Sequence, residues 1–236
     1  PPYREAMGRG TAEGGGGVAE ITQLPLHHAS PFDAACGVAQ DRHGSPPQPS
    51  AREEPKFAEL IAATNYSFLR GASHPADMVG RALELGMAGI GIADRNSVAG
   101  VVRAWSALND ACEQAKAVVE EIDFRLIVGA RLVFADATPD IIAYPATRHG
   151  WGRLTRLLTL GNLRAEKGDC VLHFADLLQH SDELLLIVMA DETHEFLLRR
   201  LADARPGAVW LGATMPRAGS DRRRLVRLKR LAQRVG

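Results

Sequence analysis

The sequence predicts an α/β domain built from parallel strands joined by helical crossovers. Short apolar runs alternate with segments of helical period from Lys56 to the end of the chain, and that repeated strand-then-helix order is the mark of βα units. A length of 236 residues with 46% hydrophobic content is enough to bury one substantial core. The longest apolar run, Leu184 to Ala190, is far shorter than a bilayer requires and reads as a buried strand. Pattern alone leaves an open sheet and a barrel as alternatives.

The first 55 residues differ in kind. Gly14 to Gly17 is a glycine run, Pro46, Pro47 and Pro49 form a cluster, and no apolar period persists between them. Such a segment buries too little surface to offset the entropy of ordering it, so residues 1–55 are expected to be disordered or low-complexity, with the domain over 56–236. The adjacent His27 and His28 lie in this tail and read as solvated side chains.

Phe57–Ala63 is expected as the first strand. A helix follows over Pro75–Leu85, with Ser73 as its cap, Pro75 in its first turn and Gly86 closing it. Ala88–Ala93 is the second strand, ending at Asp94. Ser97 opens a long helix with Val98, Val101, Val102, Trp105 and Leu108 on one face. Phe124–Phe134 and Ile141–Tyr144 are strands, Trp151–Leu160 a helix, Leu184–Met189 a strand, Glu192–Ala202 a helix, Val209–Leu211 a strand, and Asp221–Val235 a final helix. The stretch Asp110–Ile122 is read as extending the second helix by a few turns. Trp105 and Trp151 fall at apolar helix positions and are assigned to the core.

Charge balances, with 28 basic and 28 acidic residues, so no net field draws the chain to nucleic acid or membrane. Cys36, Cys112 and Cys170 make no metal-type pair, and the plain reading is a reduced, cytoplasmic compartment. No export leader is apparent. No nucleophile elbow, phosphate-binding GxxxxGK[ST] loop, HExxH or paired-carboxylate signature occurs. Gly89 and Gly91 lie within a strand, where a dinucleotide loop would place its glycines after one. Two strand ends collect polar groups: Glu59 to Ser67, with Glu59, Ile61 and Ala63 sharing one face, and Asp94-Arg95-Asn96. His173, His180 and His194 lack mutual ligand spacing. The last helix carries Arg222, Arg223, Arg224, Arg227, Lys229, Arg230 and Arg234, read by default as a solvated outer face, with phosphate contact as the alternative.

Five ordered segments carry a resemblance. Tyr66-Ser67-Phe68-Leu69-Arg70-Gly71-Ala72-Ser73 resembles the YSxLxGAS stretch of the PHP domain of bacterial DNA polymerase III alpha subunits. Leu85-Gly86-Met87-Ala88 with Ile92-Ala93-Asp94, Ile127 to Leu132, and Gly152 to Thr159 resemble that family's next segments. Arg164-Ala165-Glu166-Lys167-Gly168-Asp169-Cys170 is more similar to the error-prone paralogue. The resemblance runs from about residue 57 to the end.

It implies a distorted, PHP-type (β/α) barrel, incomplete at its C-terminal end because the family's late Asp-x-His strand would follow Val235. Active members hold divalent metals through His-x-His on the first strand, Asp-His after the second and a Glu on the third. The matching positions here are Glu59 and Ile61, Asp94 and Arg95, and Arg131. Only Asp94 keeps an expected ligand type, since isoleucine has no lone pair and a guanidinium stays protonated. A unit like-charge pair at ~4 Å costs about 4 kcal/mol at an effective dielectric near 20. The expectation is therefore no catalytic, cofactor-binding or metal residue. One reading has Arg95 or Arg131 supply the positive charge to Asp94 and Glu59; the other is neutral drift.

The implied function is the non-catalytic leading domain of an error-prone DNA polymerase that extends DNA across lesions, in damage tolerance, repair and replication. Magnesium belongs to the parent nucleotidyltransferase and no cofactor to this chain. Expected partners are the polymerase domain of the same parent, DNA through that parent, and other damage-response proteins, with no membrane. The alternatives are a stand-alone interaction module and a metal-dependent phosphoesterase.

Overall fold

A computed structural model describes residues 57–117, 122–214, 217 and 219–236. The expected disordered extension, with His27 and His28, lies outside the described residues, as do 118–121.

Six strands form one curled sheet in the sequential order β1 to β6. They are β1 (Ala58–Ala62), β2 (Gly89–Arg95), β3 (Arg125–Leu132), β4 (Ile141–Pro145), β5 (Leu184–Val188) and β6 (Val209–Leu211). The helices are α1 (Pro75–Glu84), α2 (Val101–Ala117), α3 (Arg148–Arg164), α4 (Phe174–His180), α5 (Glu195–Ala204) and α6 (Asp221–Val235). The architecture is the half-barrel expected of an incomplete PHP-type barrel.

Strand direction departs from the all-parallel expectation. β1, β2 and β3 are parallel and so are β5 and β6, but β4 runs antiparallel to both of its neighbours. The cause is the connection from β3 to β4, which contains no helix and returns the chain through residues 133–140. Without a crossover, adjacent strands can only pair antiparallel.

Alternation along the strands gives the sheet two faces. The outer face carries Ile90, Ile92 and Ala62 against α1 and α2, with Val79, Ala82, Ala104, Leu108 and Cys112. Farther along, Leu132, Ile141, Ala143, Leu184, Leu186 and Val188 meet Leu154, Leu157, Leu177, Leu201 and Leu231 from α3 to α6. The inner, concave face is smaller: Ala93, Ile142, Tyr144 and Ile187 are buried there, with Ile61, Ile127, Leu185 and Met189 packed around them.

Several local expectations shift. α1 is capped at His74, not Ser73, and has no side-chain cap, while Gly86 takes φ +65° after the helix as expected. α2 starts at Val101, and its buried face is Val101, Ala104, Leu108, Cys112 and Ala115; Val102 and Trp105 are exposed. Trp105 is therefore not core, because it sits one position from Ala104 on the solvent side of the turn. α3 is longer than expected at both ends: Thr147 accepts a bond from Gly150 N at 3.1 Å and caps it. α4 was not anticipated. Its seven residues make only about two turns, and it is held from outside, by Arg164 Nη2 donating to Asp176 Oδ1 at 2.9 Å and by His173 N donating to Asp176 Oδ2 at 2.9 Å. The Arg164 hydrogen bond holds the Asp176 carboxyl below the usual carboxylate range against the opposing effect of burial. The segment 192–204 divides into a short 3-10 turn and α5.

Candidate functional site

The carboxyl ends of β1, β2 and β3 gather the polar groups that the sequence singles out, and strand alternation sorts them into two sets. In the β2–β3 register Asp94 sits beside Ala130, and Arg95 beside Arg131. Ala130 belongs to the outer core. Asp94 is thus on the helix side, while Arg95 and Arg131 share the inner face with Ala93 and Gly129.

Asp94 is 1% exposed and anchors the loop that leaves β1. Its Oδ1 accepts from Thr64 N at 2.7 Å and from Ser67 Oγ at 2.6 Å; its Oδ2 accepts from Thr64 Oγ1 at 2.7 Å. Ser67 Oγ in turn accepts from Arg95 N at 2.9 Å. The loop closes on itself through Asn65 N to Ser73 O and Gly71 N to Ser67 O. Gly71 is required by packing: a Cβ there would lie 2.2 Å from the Thr64 carbonyl oxygen. The motif Tyr66 to Ser73 is accordingly a loop wound around a buried carboxylate, and its tip presents Phe68 and Leu69 to solvent. Leu69 has φ +59°, a strained conformation for leucine. Asn96 fixes the exit of β2 by accepting from Val133 N at 2.8 Å and donating to Val133 O at 3.1 Å.

The arginines do not take the role expected of them. Arg131 Nε donates to Asp140 Oδ2 at 2.7 Å, tying the end of β3 to the residue before β4. Arg95 is exposed. Asp94 receives hydroxyl and amide donors and no guanidinium, so the arginine-for-metal pairing with Asp94 and Glu59 is not formed. Glu59 also departs from expectation. A register shift between Glu59 and Ala62 breaks the alternation of β1. The Glu59 carboxylate turns back to accept from Ile61 N at 2.8 Å and lines a groove of about 400 Å³ beside α1, with Asp77, Met78, Arg81 and Leu85.

Tyr144 is the inner-face residue that sequence reasoning missed. It is buried, and its hydroxyl donates to the Leu60 carbonyl across the curl of the sheet. Desolvation, with the nearby Glu59 charge adding to it, pushes the phenol far above its ordinary range. Two glycines make room for the ring. A Cβ on Gly91 would lie 2.6 Å from the Tyr144 hydroxyl, and one on Gly129 would lie 2.5 Å from its Cδ1. The only signal in the sequence was glycine inside two predicted strands, which marks a close approach.

This donor set does not fit a divalent-metal cluster. Ile61 packs in the apolar inner cluster, Arg131 is committed to Asp140, Asp94 faces the other side, and the Tyr144 ring occupies the concavity. Among the described residues no three His, Cys, Asp or Glu side chains gather as a site that could hold a metal ion. His173 caps α4, and His194 Nδ1 lies 2.8 Å from Asp191 Oδ1. Arg164 connects α3 to α4. None of the described helices is long and apolar enough to cross a membrane.

A family profile described as "PHP domain" matches residues 60–213. Among curated proteins, the chain is 50% identical over 186 residues to "Error-prone DNA polymerase 1" of Rhizobium meliloti (strain 1021). It is 49% identical over 185 residues to "Error-prone DNA polymerase" of Rhodopseudomonas palustris (strain BisB5). The protein of the same name from Caulobacter vibrioides (strain ATCC 19089 / CIP 103742 / CB 15) is 46% identical over 186 residues. These alignments cover 75% to 77% of this chain but 16% of each relative. The matched part of those proteins is their N-terminal PHP region.

Proposed function

The chain belongs to the PHP-domain family, and on that premise we propose that it is the leading, non-catalytic domain of an error-prone DNA polymerase, bracing the polymerase domain of the same parent chain. The observation that carries the non-catalytic reading is the inner face. Tyr144 fills the concavity and donates to Leu60, while Ile61, Arg95 and Arg131 stand where active relatives would need lone-pair donors. A metal-dependent phosphoesterase would require those groups to be replaced or turned.

The parent activity follows from the relatives, which are named as error-prone DNA polymerases and are far longer than the aligned segment. On this reading the parent copies DNA past lesions during damage tolerance, with deoxynucleoside triphosphates and magnesium, in the cytoplasm and alongside other damage-response proteins. Transfer of nucleotides belongs to a polymerase active site elsewhere in that parent. The present domain contributes a rigid α/β unit with a packed interior.

The experiment is to read the gene beyond the codon for Gly236, express the whole product and assay primer extension on damaged and undamaged templates. A continuous frame and magnesium-dependent extension are expected. A stop codon there, with no extension by the native product, would overturn the polymerase reading and leave a stand-alone module.

A further inference from the structure

We infer that the outer face of α6 binds the phosphate backbone of duplex DNA. The proposal rests on the polymerase reading only for the identity of the nucleic acid. α6 carries seven basic residues and a single acid among its fifteen positions, in a chain whose charges balance only when this helix is counted. At 100° per residue the side chains of Lys229, Arg222, Arg230, Arg223, Arg234 and Arg227 fall on one face of about 160°. All six are exposed, whereas on the opposite side Leu228 is buried and Leu231 packs into the outer core. The acid, Asp221, is on the buried side.

Pairing leaves most of this charge unused. Arg234 Nε donates to Glu195 Oε2 at 3.1 Å, and Arg224 turns inward to the Thr214 carbonyl at 2.6 Å. Among the described residues no carboxylate pairs with Arg222, Arg223, Arg227, Lys229 or Arg230. These five groups, from Arg222 to Arg230, cover about 12 Å of helix axis, the span of about four phosphates on one strand.

The same residues narrow the choice of ligand. A bilayer needs an apolar face, and that of α6 is already buried in the core. Single strands are held by aromatic stacking, and α6 carries no aromatic residue. What remains is a rigid, closely spaced array of cations with no base-reading groups, which suits sequence-independent contact with duplex phosphates.

The test is a titration of the full 236-residue chain into a fluorescent duplex of about 24 base pairs, followed by anisotropy between about 50 and 200 mM salt. A fourfold variant, Arg222→Gln, Arg223→Gln, Arg227→Gln and Arg230→Gln, is run beside it, with the four Arg→Lys changes as the charge-retaining control. Glutamine and lysine have helix propensities close to that of arginine, and circular dichroism checks the fold of each variant. For about four phosphate contacts the unaltered chain should lose affinity about 100-fold over this range. The glutamine variant should bind at least about tenfold more weakly at low salt, with a salt slope flatter by about 3, and the lysine variant should retain most of the binding. Binding by the glutamine variant within about twofold of the original, or equal affinity for a polyglutamate peptide of matched charge, would overturn the proposal. Extension by the whole product with unchanged variant binding sinks this inference alone, while absent extension sinks the polymerase reading and leaves the binding result standing.

Discussion

Asp94 satisfies three donors from two residues of the β1 exit loop, and Ser67 passes the connection on to the Arg95 backbone. The three bonds to Asp94 are buried, so a lost acceptor cannot be replaced by water at no cost. Asp94→Ala should lower stability by about 3 kcal/mol, because it removes charge-assisted bonds and strands a buried backbone N–H. Asp94→Asn, which keeps one carbonyl acceptor, should cost about 1 kcal/mol. Urea unfolding at constant slope measures both, and an alanine variant within about 0.5 kcal/mol of the original would reject this role. The sequence marked Asp94 as a carboxylate at a strand exit and left its role open. A one-residue difference in where β2 ends decides which way the side chain points. Expectation placed Asp94 on the turn, but it lies inside β2, on the face opposite Arg95. Thr64 and Ser67 were invisible as its partners because they are 30 and 27 positions away along the chain.

Elements were easiest to read where hydrophobic period and turn chemistry agree. β6 and α6 have the expected bounds, and β2 and β5 lie within a residue or two of theirs. α4 is short, and its Asp176 is held by Arg164 from outside the helix. Strand direction at β4 was legible and missed: the six residues expected between Phe134 and Ile141 are too few for the crossover that a parallel pair needs. Tyr144 joins β4 to β1 across β2 and β3, so its hydroxyl bears on how tightly the sheet curls. Its raised folded-state pKa fixes the sign of a pH effect. Below the unfolded value of about 10 both states hold the proton and the effect is nil; above it the unfolded chain ionises first, so stability falls as pH rises. Tyr144→Phe should cost about 1 kcal/mol at neutral pH, from the unpaired Leu60 carbonyl, and should flatten the alkaline decline. Denaturant midpoints from about pH 8 to 11 check this; an unchanged alkaline slope in the phenylalanine variant would contradict it.

At the scale of the whole molecule, a half-barrel with helices on its outer face leaves one concave surface where chemistry could collect. In this chain that surface is filled by Ile61, Ala93, Ile127, Ile142, Tyr144 and Ile187, and the two cations at its rim are Arg95 and Arg131. The interior therefore works as a packed core, and the polar groups at the strand ends hold loops in place. The resemblance to the PHP family implied the missing ligand types; the sequence could not show the tyrosine that fills the inner face, because only the fold brings Tyr144 to Gly91 and Gly129. A structural role for this PHP domain, as proposed above, is tested by its metal content. The chain, purified without chelator and dialysed against manganese and zinc, should retain well under one metal ion per molecule by mass spectrometry of the elements, on the donor chemistry of its inner face. Retention of two or three ions per chain, lost on treatment with chelator, would rule out a purely structural role and return the inner face to catalysis.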